Sequence, residues 1–542
     1  MAIFGLFDIG KSAIFASRAA LDVTANNIAN INTPGFSRKE AILDIQTPGR
    51  TRAGFIGRGV TVGQIRRHYD NLLQNQILLQ QQNFARSNSL GNVFRQVEEV
   101  FNEQQTPKFS DSFNEYINAW QEVANSPEAL PQRSVLLQRA KGLISMAKDM
   151  ERSLRETVKH TDAQIEDSIG RINTITSKIA SMNGMITEVE AGSSYEASDL
   201  RDKRDILMGQ LSELIGFSSF EDDAGRVTIV MGSKNLVERE SSFGLASVVN
   251  PDNTIDIMAG NDRVNDYISR GALSGILASR EEIQEGPLKN FRSLVASIVK
   301  ETNLQHRQGY DLGGSTDNDF FAPLQLFTRD YSNGTAVTSK TISDLTQLTL
   351  HEYEIRFSDS STYSVVDLAT DTTVVPPTTY TSGSTIAFDG MEIVVTDDAG
   401  GPQGGDKFLV TPLELSIGNF ALNISSAEDV AASTYDYTLP GDNRNALAMI
   451  ELYQGNVSDI GSSFNGYYRT IVTLAGTMSS TAQDSTNFEQ SLLNELNMRR
   501  ESVSGVNLDE EAANLIRYQK AFEAGAKLIK VTDELLEVIL NL

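Results

Sequence analysis

Apolar residues recur at intervals of seven in four separate parts of the chain. Phe7, Ile14, Leu21 and Ile28 form the first run. Val158, Ile165, Ile172, Ile179 and Ile186 form the second, with Ile175, Met182 and Val189 in a companion position. Val457, Phe464, Ile471 and Met478 form the third, partnered by Ile460, Tyr467, Leu474 and Phe488. Leu508, Leu515, Phe522, Ile529 and Leu536 form the last. A sustained repeat of seven places one apolar stripe along a helix and favours left-handed wrapping of helix on helix. Shorter amphipathic patterns predict helices over 72–101, 130–155, 199–215 and 281–305.

Two stretches break this pattern. In 217–262, Val227, Ile229 and Met231 alternate after a turn. In 322–415, YEIRF, TYSVV and MEIVV are β-branched or aromatic runs, and Asp389-Gly390 between IAF and MEIVV is a two-residue hairpin signal. The chain thus alternates helix, β insert, helix, β insert, helix. The pattern predicts a mainly α fold with β inserts in a discontinuous multidomain chain. The N- and C-terminal helices (1–40 and 504–542) are expected to pair in a coiled-coil-like bundle. A helical core is expected from 41–216, 265–321 and 416–503, with two outward β-rich domains at 217–264 and 322–415.

Composition sharpens this picture in three ways. The formal charge is −25, and residues 313–415 hold 15 acidic against 4 basic residues, so nearly half the excess lies in one β-rich insert. A surface of that sign repels phosphate backbones and argues against nucleic acid as a partner. There is no cysteine, hence no disulfide framework and no thiolate chemistry. The N-terminus lacks a basic leader, and Asp8, Lys11 and Arg18 interrupt its apolar residues, so neither a secretory signal nor a membrane span is expected.

Candidate chemistry is sparse. The four histidines (His68, His160, His306, His351) form no metal-ligand spacing. GFIGRGVTVG (54–63) approaches a dinucleotide fingerprint, but no buried strand precedes it and no acidic partner follows, so a hairpin or glycine-rich loop is expected. GGPQGGDK (400–407) lacks the ending of a phosphate loop. His306 and Asp311 could act as a base and its orienter, but a structural role at a helix end is favoured. No catalytic residue, cofactor or metal ligand is expected.

TANNIANINTPGF (24–36) stands out, because asparagine is a poor helix interior residue. Thr33-Pro34-Gly35-Phe36 suits a type II turn that ends the first helix. The amides of Asn27 and Asn30 serve either local capping or lateral hydrogen bonding between subunits.

ALDVTANNIANINTPGFSRKEA (20–41) and SGVNLDEEAANLIRYQKAFEAGAKLIKVTDELLEVIL (504–540) resemble the terminal signatures of the axial proteins of the bacterial flagellum. DLRDKRDILMGQLSELIGF (199–217), GALSGILASRE (271–281), NLQHRQGYDLGGSTDNDFF (303–321) and GDNRNALAM (441–449) resemble the junction members of that family, and GDKFLVTP (405–412) extends the likeness into the outer insert. The resemblance implies a structural subunit rather than an enzyme, exported through the flagellar type III channel without a cleaved signal and assembling outside the cell between hook and filament. It implies self-assembly, contacts with the hook protein and with a second hook-associated protein, and an export chaperone for the C-terminal segment. The expected subunit-interface residues are Phe7, Ile14, Leu21, Asn27, Ile28, Asn30, Leu508, Leu515, Phe522, Ile529 and Leu536. A hook or rod subunit, or a surface adhesin using the acidic insert, is the alternative.

Overall fold

A computed structural model describes residues 2–51, 54–102, 109–192, 196–250, 254–331, 335–397 and 400–540. The extreme ends of the expected terminal domain (1 and 541–542) lie outside the described residues. Ten α-helices are seen among them. The first, α1 (Ala2–Ala29), leads into strands β1 (Lys39–Ile45), β2 (Gly49–Thr51), β3 (Gly54–Ile56) and β4 (Val60–Arg67). Antiparallel β1 and β4 make a hairpin whose extension is the β2–β3 pair. The expected helical core from residue 41 is therefore corrected, because its first part is this β arm. β-Branched residues at Ile42, Ile45, Val60, Thr61, Val62 and Ile65, with glycines at the turns, outweigh helix propensity there.

Helices α2 (Asn71–Phe101), α3 (Phe109–Asn125), α4 (Leu130–Glu190) and α5 (Ser198–Leu214) follow. Asp70 caps α2, its carboxylate accepting from the backbone of Leu72 and Leu73. The two patterns expected over 130–155 and 158–189 fuse into one helix of 61 residues, about 90 Å long at ~1.5 Å per residue. Its stripe of Leu136, Ala140, Leu143, Ala147, Leu154, Ile165, Ile172, Ile179 and Ile186 is wholly buried.

A first β-rich domain contains β5 (Ser218–Glu221), β6 (Val227–Met231), β7 (Lys234–Glu238) and β8 (Ser241–Ser242), in one sheet, and β9 (Leu245–Val249), β10 (Ile255–Ala259) and β11 (Asp262–Arg263), in another. Val227, Ile229 and Met231 face inward as their alternation predicts, against the isoleucine stripe of α4. Helices α6 (Gly271–Ile283) and α7 (Lys289–Arg307) then run on through a π-helical turn at Gln284–Leu288 that accommodates Pro287.

The outer β-rich domain comprises β12 (Phe327–Asp330), β13 (Thr335–Ile342), β14 (Tyr353–Asp359), β15 (Thr362–Asp367), β16 (Thr372–Thr379), β17 (Thr385–Phe388), β18 (Met391–Asp397) and β19 (Lys407–Thr411). One sheet has the order β12-β19-β14-β15-β16, the other β13-β18-β17. Asp389 and Gly390 both take positive φ (41° and 72°) between β17 and β18, the geometry a tight hairpin needs. Tyr353, Ile355, Phe408 and Val410 from one sheet meet Ile386, Phe388 and Ile393 from the other.

The chain returns through α8 (Arg444–Gln454), α9 (Phe464–Ser504) and α10 (Leu508–Leu540). Helix α9 lies antiparallel on α2: Leu493 meets Leu73 and Ile77, and Ala482 meets Leu90 and Phe94. The expected heptad of α9 is corrected at its ends. Val457 and Ile460 precede the helix, and Phe488 is exposed, because α9 there runs past the core with α2 covering only one side. Helices α1 and α10 pair antiparallel at the opposite ends of the sequence, outside every large apolar cluster.

Candidate assembly surface

The terminal pair closes on small residues rather than on its large apolar ones. A Cβ added at Gly10 would lie 2.9 Å from Ile529 Cγ1 and 3.3 Å from the Gly525 carbonyl. One added at Gly525 would lie 3.0 Å from Ile14 Cγ1 and 3.3 Å from the Gly10 carbonyl. Such distances leave room only for hydrogen, so this pair of glycines sets the helix separation. Along α1 the buried positions Ala16, Ala20, Thr24 and Asn27 continue the line. On the hairpin side the Val60 amide donates to Ser12 Oγ (3.3 Å), which donates to the Ile9 carbonyl (2.8 Å).

Ile14, Leu21, Ile28, Leu515, Phe522, Ile529 and Leu536 sit half-buried. Phe7 and Leu508 are exposed (38% and 51%). The heptad read from the sequence therefore flanks the closed line of small residues. On the other side of α10 stand Ile516, Val531, Leu535 and Val538, all exposed; Phe15 of α1, at 59%, is exposed too. At ~100° per residue, Val531, Leu535 and Val538 share a face roughly opposite Phe522, Ile529 and Leu536. The hairpin adds Ile45, Phe55 and Ile56, the first 80% exposed.

The amides of the opening motif serve the inside of the chain. Asn27 is 1% exposed. Its Nδ2 donates to the Lys39 carbonyl (2.8 Å) and to Glu511 Oε2 (3.1 Å), while its Oδ1 accepts from the Lys39 amide (3.0 Å). Asn30 donates to the Asn26 carbonyl and accepts from Thr33 Oγ1. The lateral role considered for Asn27 is corrected, since it is buried with both N–H groups and its oxygen engaged within the subunit, whereas Asn30 makes a local cap and keeps an N–H and a lone pair free. The turn beyond them forms as expected: Phe36 N–H donates to Thr33 O (3.2 Å) and Gly35 takes φ 78°. Asn27→Ala leaves the Lys39 amide and carbonyl buried without partners, at a cost of about 1–3 kcal/mol. Hydrogen exchange at the Lys39 amide is expected to accelerate by one to two decades, in step with that cost.

Asn27 marks the place where α1, α10 and the hairpin meet the helical body. Arg38 pairs with Glu510 (2.9 Å) and Glu511 (2.8 Å), and its amide donates to the Ser504 carbonyl (2.9 Å). Arg67, at the hairpin base, is buried and reaches Asp202 and Asp205 (2.8 Å each) and Glu196 (3.4 Å), while its guanidinium lies over Tyr69 at 4.2 Å. Lys39 pairs with Asp199. Thus a basic hairpin base, Arg38, Lys39 and Arg67, is held by acidic residues of α5 and α10. Burial pushes the Asp205 carboxyl above the usual carboxylate range, opposed by Arg67. This docking was not visible in the sequence, although the charge pairing of 38–67 with 196–205 is its signal.

The weaker chemical candidates resolve into structure. His306 is fully buried, accepts the Ala431 amide at Nε2 (2.9 Å) and bonds the Asn318 carbonyl through Nδ1 (2.7 Å); burial lowers its basicity. Asp311 accepts from the Ser315 amide in a turn. Residues 54–63 form the hairpin arm. Among the described residues no cluster of His, Asp or Glu is arranged to hold a metal ion, and no helix is long and apolar enough to cross a membrane.

Comparison with known proteins bears on this arrangement. Residues 94–321 match the family described as flagellar hook-associated protein FlgK helical domain, and 328–412 match flagellar hook-associated protein 1, D2-like domain. Residues 7–36 match flagella basal body rod protein, and 500–542 match flagellar basal body rod FlgEFG protein C-terminal. Flagellar hook-associated protein 1 of Escherichia coli is 27% identical over 99% of both chains; that of Salmonella typhimurium is 28% identical over 99% of both. The Bacillus subtilis protein of the same name is 24% identical over 98% of this chain and 97% of its own. The structure of the flagellar hook junction protein FlgK from Burkholderia pseudomallei superposes with a TM-score of 0.67, at 18% identity, over 79% of this chain and all of that one.

Rod-protein models at both ends and hook-associated models between them place the chain among the axial proteins of the bacterial flagellum. Within that class, the models matched by residues 94–321 and 328–412 and the relatives similar along nearly the whole chain are those of flagellar hook-associated protein 1, a structural component of the flagellum.

Proposed function

We propose that this chain, a structural subunit of the hook–filament junction, assembles head to tail through the outward faces of its terminal helices. The observation that supports this reading is the second apolar face. The pair α1–α10 already satisfies its own seam with small residues, yet it leaves Phe7, Phe15, Leu508, Ile516, Val531, Leu535 and Val538 toward solvent. Exposed apolar surface on this scale marks an interaction site, and a tube of one chain type needs heterologous contacts that repeat along a helix. Ile14, Leu21, Ile28, Leu515, Phe522, Ile529 and Leu536 flank the closed seam, and their half-buried surface joins the contact with a further neighbour. The hook protein meets one end of the assembly, and a second hook-associated protein meets the other. The chain reaches the outside of the cell by the flagellar export route without a cleaved leader, with its C-terminal segment shielded by an export chaperone until assembly.

Phe15→Asp tests the contact. The side chain is solvent-facing in the monomer, so its stability changes by less than ~0.5 kcal/mol. A charge introduced into a buried apolar interface is costly. Monomer melting is expected to stay unchanged while incorporation into hook–filament particles, counted by electron microscopy, falls at least tenfold. Full incorporation refutes the assignment.

A further inference from the structure

A basic groove runs through this strongly acidic molecule. Lys148, Arg152, Arg155 and Lys159 lie at offsets of 4, 3 and 4 on α4, and that spacing puts them on one helix face. They form the floor of a cleft of about 980 Å³ between α4 and the outer β-rich domain. The facing wall, the outer surface of strands β12 and β19, contributes Arg329 and Leu409. All but one of the carboxylates inside are already engaged, the exception being the exposed Glu156. Glu151 and Glu414 bind Arg292, Glu352 binds Lys289 (2.5 Å) and Asp162 binds Arg280 (2.6 Å). Among the described residues, no carboxylate lies within 4 Å of Lys148, Lys159 or Arg329. The Nε of Arg329 is shielded from solvent and has no hydrogen-bond acceptor. Both walls thus present unpaired cations to a gap, and closing the gap without an anion would bring like charges together in reduced dielectric.

The chain's own surplus of acid is in the outer domain. Asp359 ends β14 and Asp397 ends β18, both exposed. Tyr380 ties these ends together: its amide donates to Ser361 O (2.7 Å) and its hydroxyl to Asp397 Oδ1 (2.8 Å). This tip cannot serve the groove of its own subunit. Strand β14 starts beside Glu352, which is bound to Lys289 in the cleft. It then runs seven residues in a paired sheet, holding Asp359 about 20 Å away at ~3.3 Å per residue.

We propose that the groove over α4 receives the acidic tip of the outer domain of a second copy of this chain, forming a lateral contact in the assembled junction. The contact is electrostatic, so it gives register and steers neighbours together, while the terminal helices supply apolar burial. This inference rests on the assembly reading above, and its test separates the two.

The absence of cysteine makes cross-linking free of background. Two singly substituted chains, Lys159→Cys and Asp359→Cys, are co-expressed, and purified hook–filament particles are treated with a short bis-maleimide. A dimer band from the mixture, and none from either variant alone, is the expected result. Particles that contain both chains but give no dimer overturn the lateral contact and leave self-assembly standing. Particles that contain neither chain overturn both. The doubly substituted chain is treated as a dilute monomer: rapid internal cross-linking would show that the tip reaches its own groove, and would also refute the proposal. As a second arm, Lys148→Glu with Lys159→Glu should make junctions shed filaments at lower salt, and Asp359→Lys with Asp397→Lys should restore them. Absence of rescue counts against this pairing of surfaces.

Discussion

Removing residues 504–542 is expected to give a folded, soluble protein that no longer joins hook to filament. The deleted segment is α10 with the turn before it. None of its residues belongs to the four apolar clusters, which are built from α2–α9 and the two β-rich domains. The body should therefore keep its cooperative melting. The loss falls on α1, which would have Gly10, Ala16 and Ala20 uncovered and the Arg38 pairs with Glu510 and Glu511 missing. This 28-residue helix would lose the tertiary packing on that side, from which most helical stability in proteins comes. Limited proteolysis should cleave within the first thirty residues of the truncated chain and spare them in the full one. Filament attachment in a strain carrying only the truncation should be near zero. Attachment at the full-length level would remove the terminal pair from the mechanism.

Arg67→Ala is expected to loosen the joint between the terminal pair and the helical body. Its guanidinium faces Asp202, Asp205 and Glu196, and it is the buried cation among them at the hairpin base. Removing one partner from a buried ionic cluster strands the others, at a cost of about 3–5 kcal/mol. The sign of the pH dependence follows from Asp205. Its folded carboxyl titrates above the ordinary 3.8, so its contribution to stability is present below 3.8 and is lost as pH rises through the raised value. At neutral pH Asp205 is therefore a liability that Arg67 offsets. The deficit of Arg67→Ala should be largest at neutral pH and shrink in acid, as the stranded carboxylates protonate. Hydrogen exchange across 37–40 and 65–69 at two pH values reads this locally. Arg67→Lys keeps the charge but not the fork, and an intermediate effect is expected.

Much of this architecture was legible because it is periodic. The isoleucines of 165–186 announced a helix buried on one face, and they are buried. The Asp389-Gly390 dipeptide announced a hairpin turn with positive φ at both positions. The alternation at Val227, Ile229 and Met231 announced an inward strand face. What periodicity could not reveal was depth. A heptad of large residues looks the same whether it fills a seam or borders one, and the seam here closes on Gly10 and Gly525, which carry no hydropathy signal. The length of α4 was hidden for a related reason: the stripe changes partner midway, from α3 and the helical body to the first β-rich domain, so the pattern restarts. The asparagines were ambiguous because an amide bonding a neighbouring strand and an amide bonding a neighbouring subunit leave the same trace in sequence. Only the fold brings Lys39 and Glu511 to Asn27.

Helix α4 also works as a ruler. The first β-rich domain is mounted on its second half and α3 of the helical body on its first, so the spacing and azimuth of that domain relative to the body are set by counting residues along a single uninterrupted rod. Inserting one residue between Val158 and Ile165 would turn the far domain by about 100° and advance it by ~1.5 Å, while inserting seven would lengthen the rod by about 10 Å and restore its facing to within ~20°. Insertions in α4 are thus expected to preserve the facing of the first β-rich domain only in whole heptads, a constraint the turns between strands do not share.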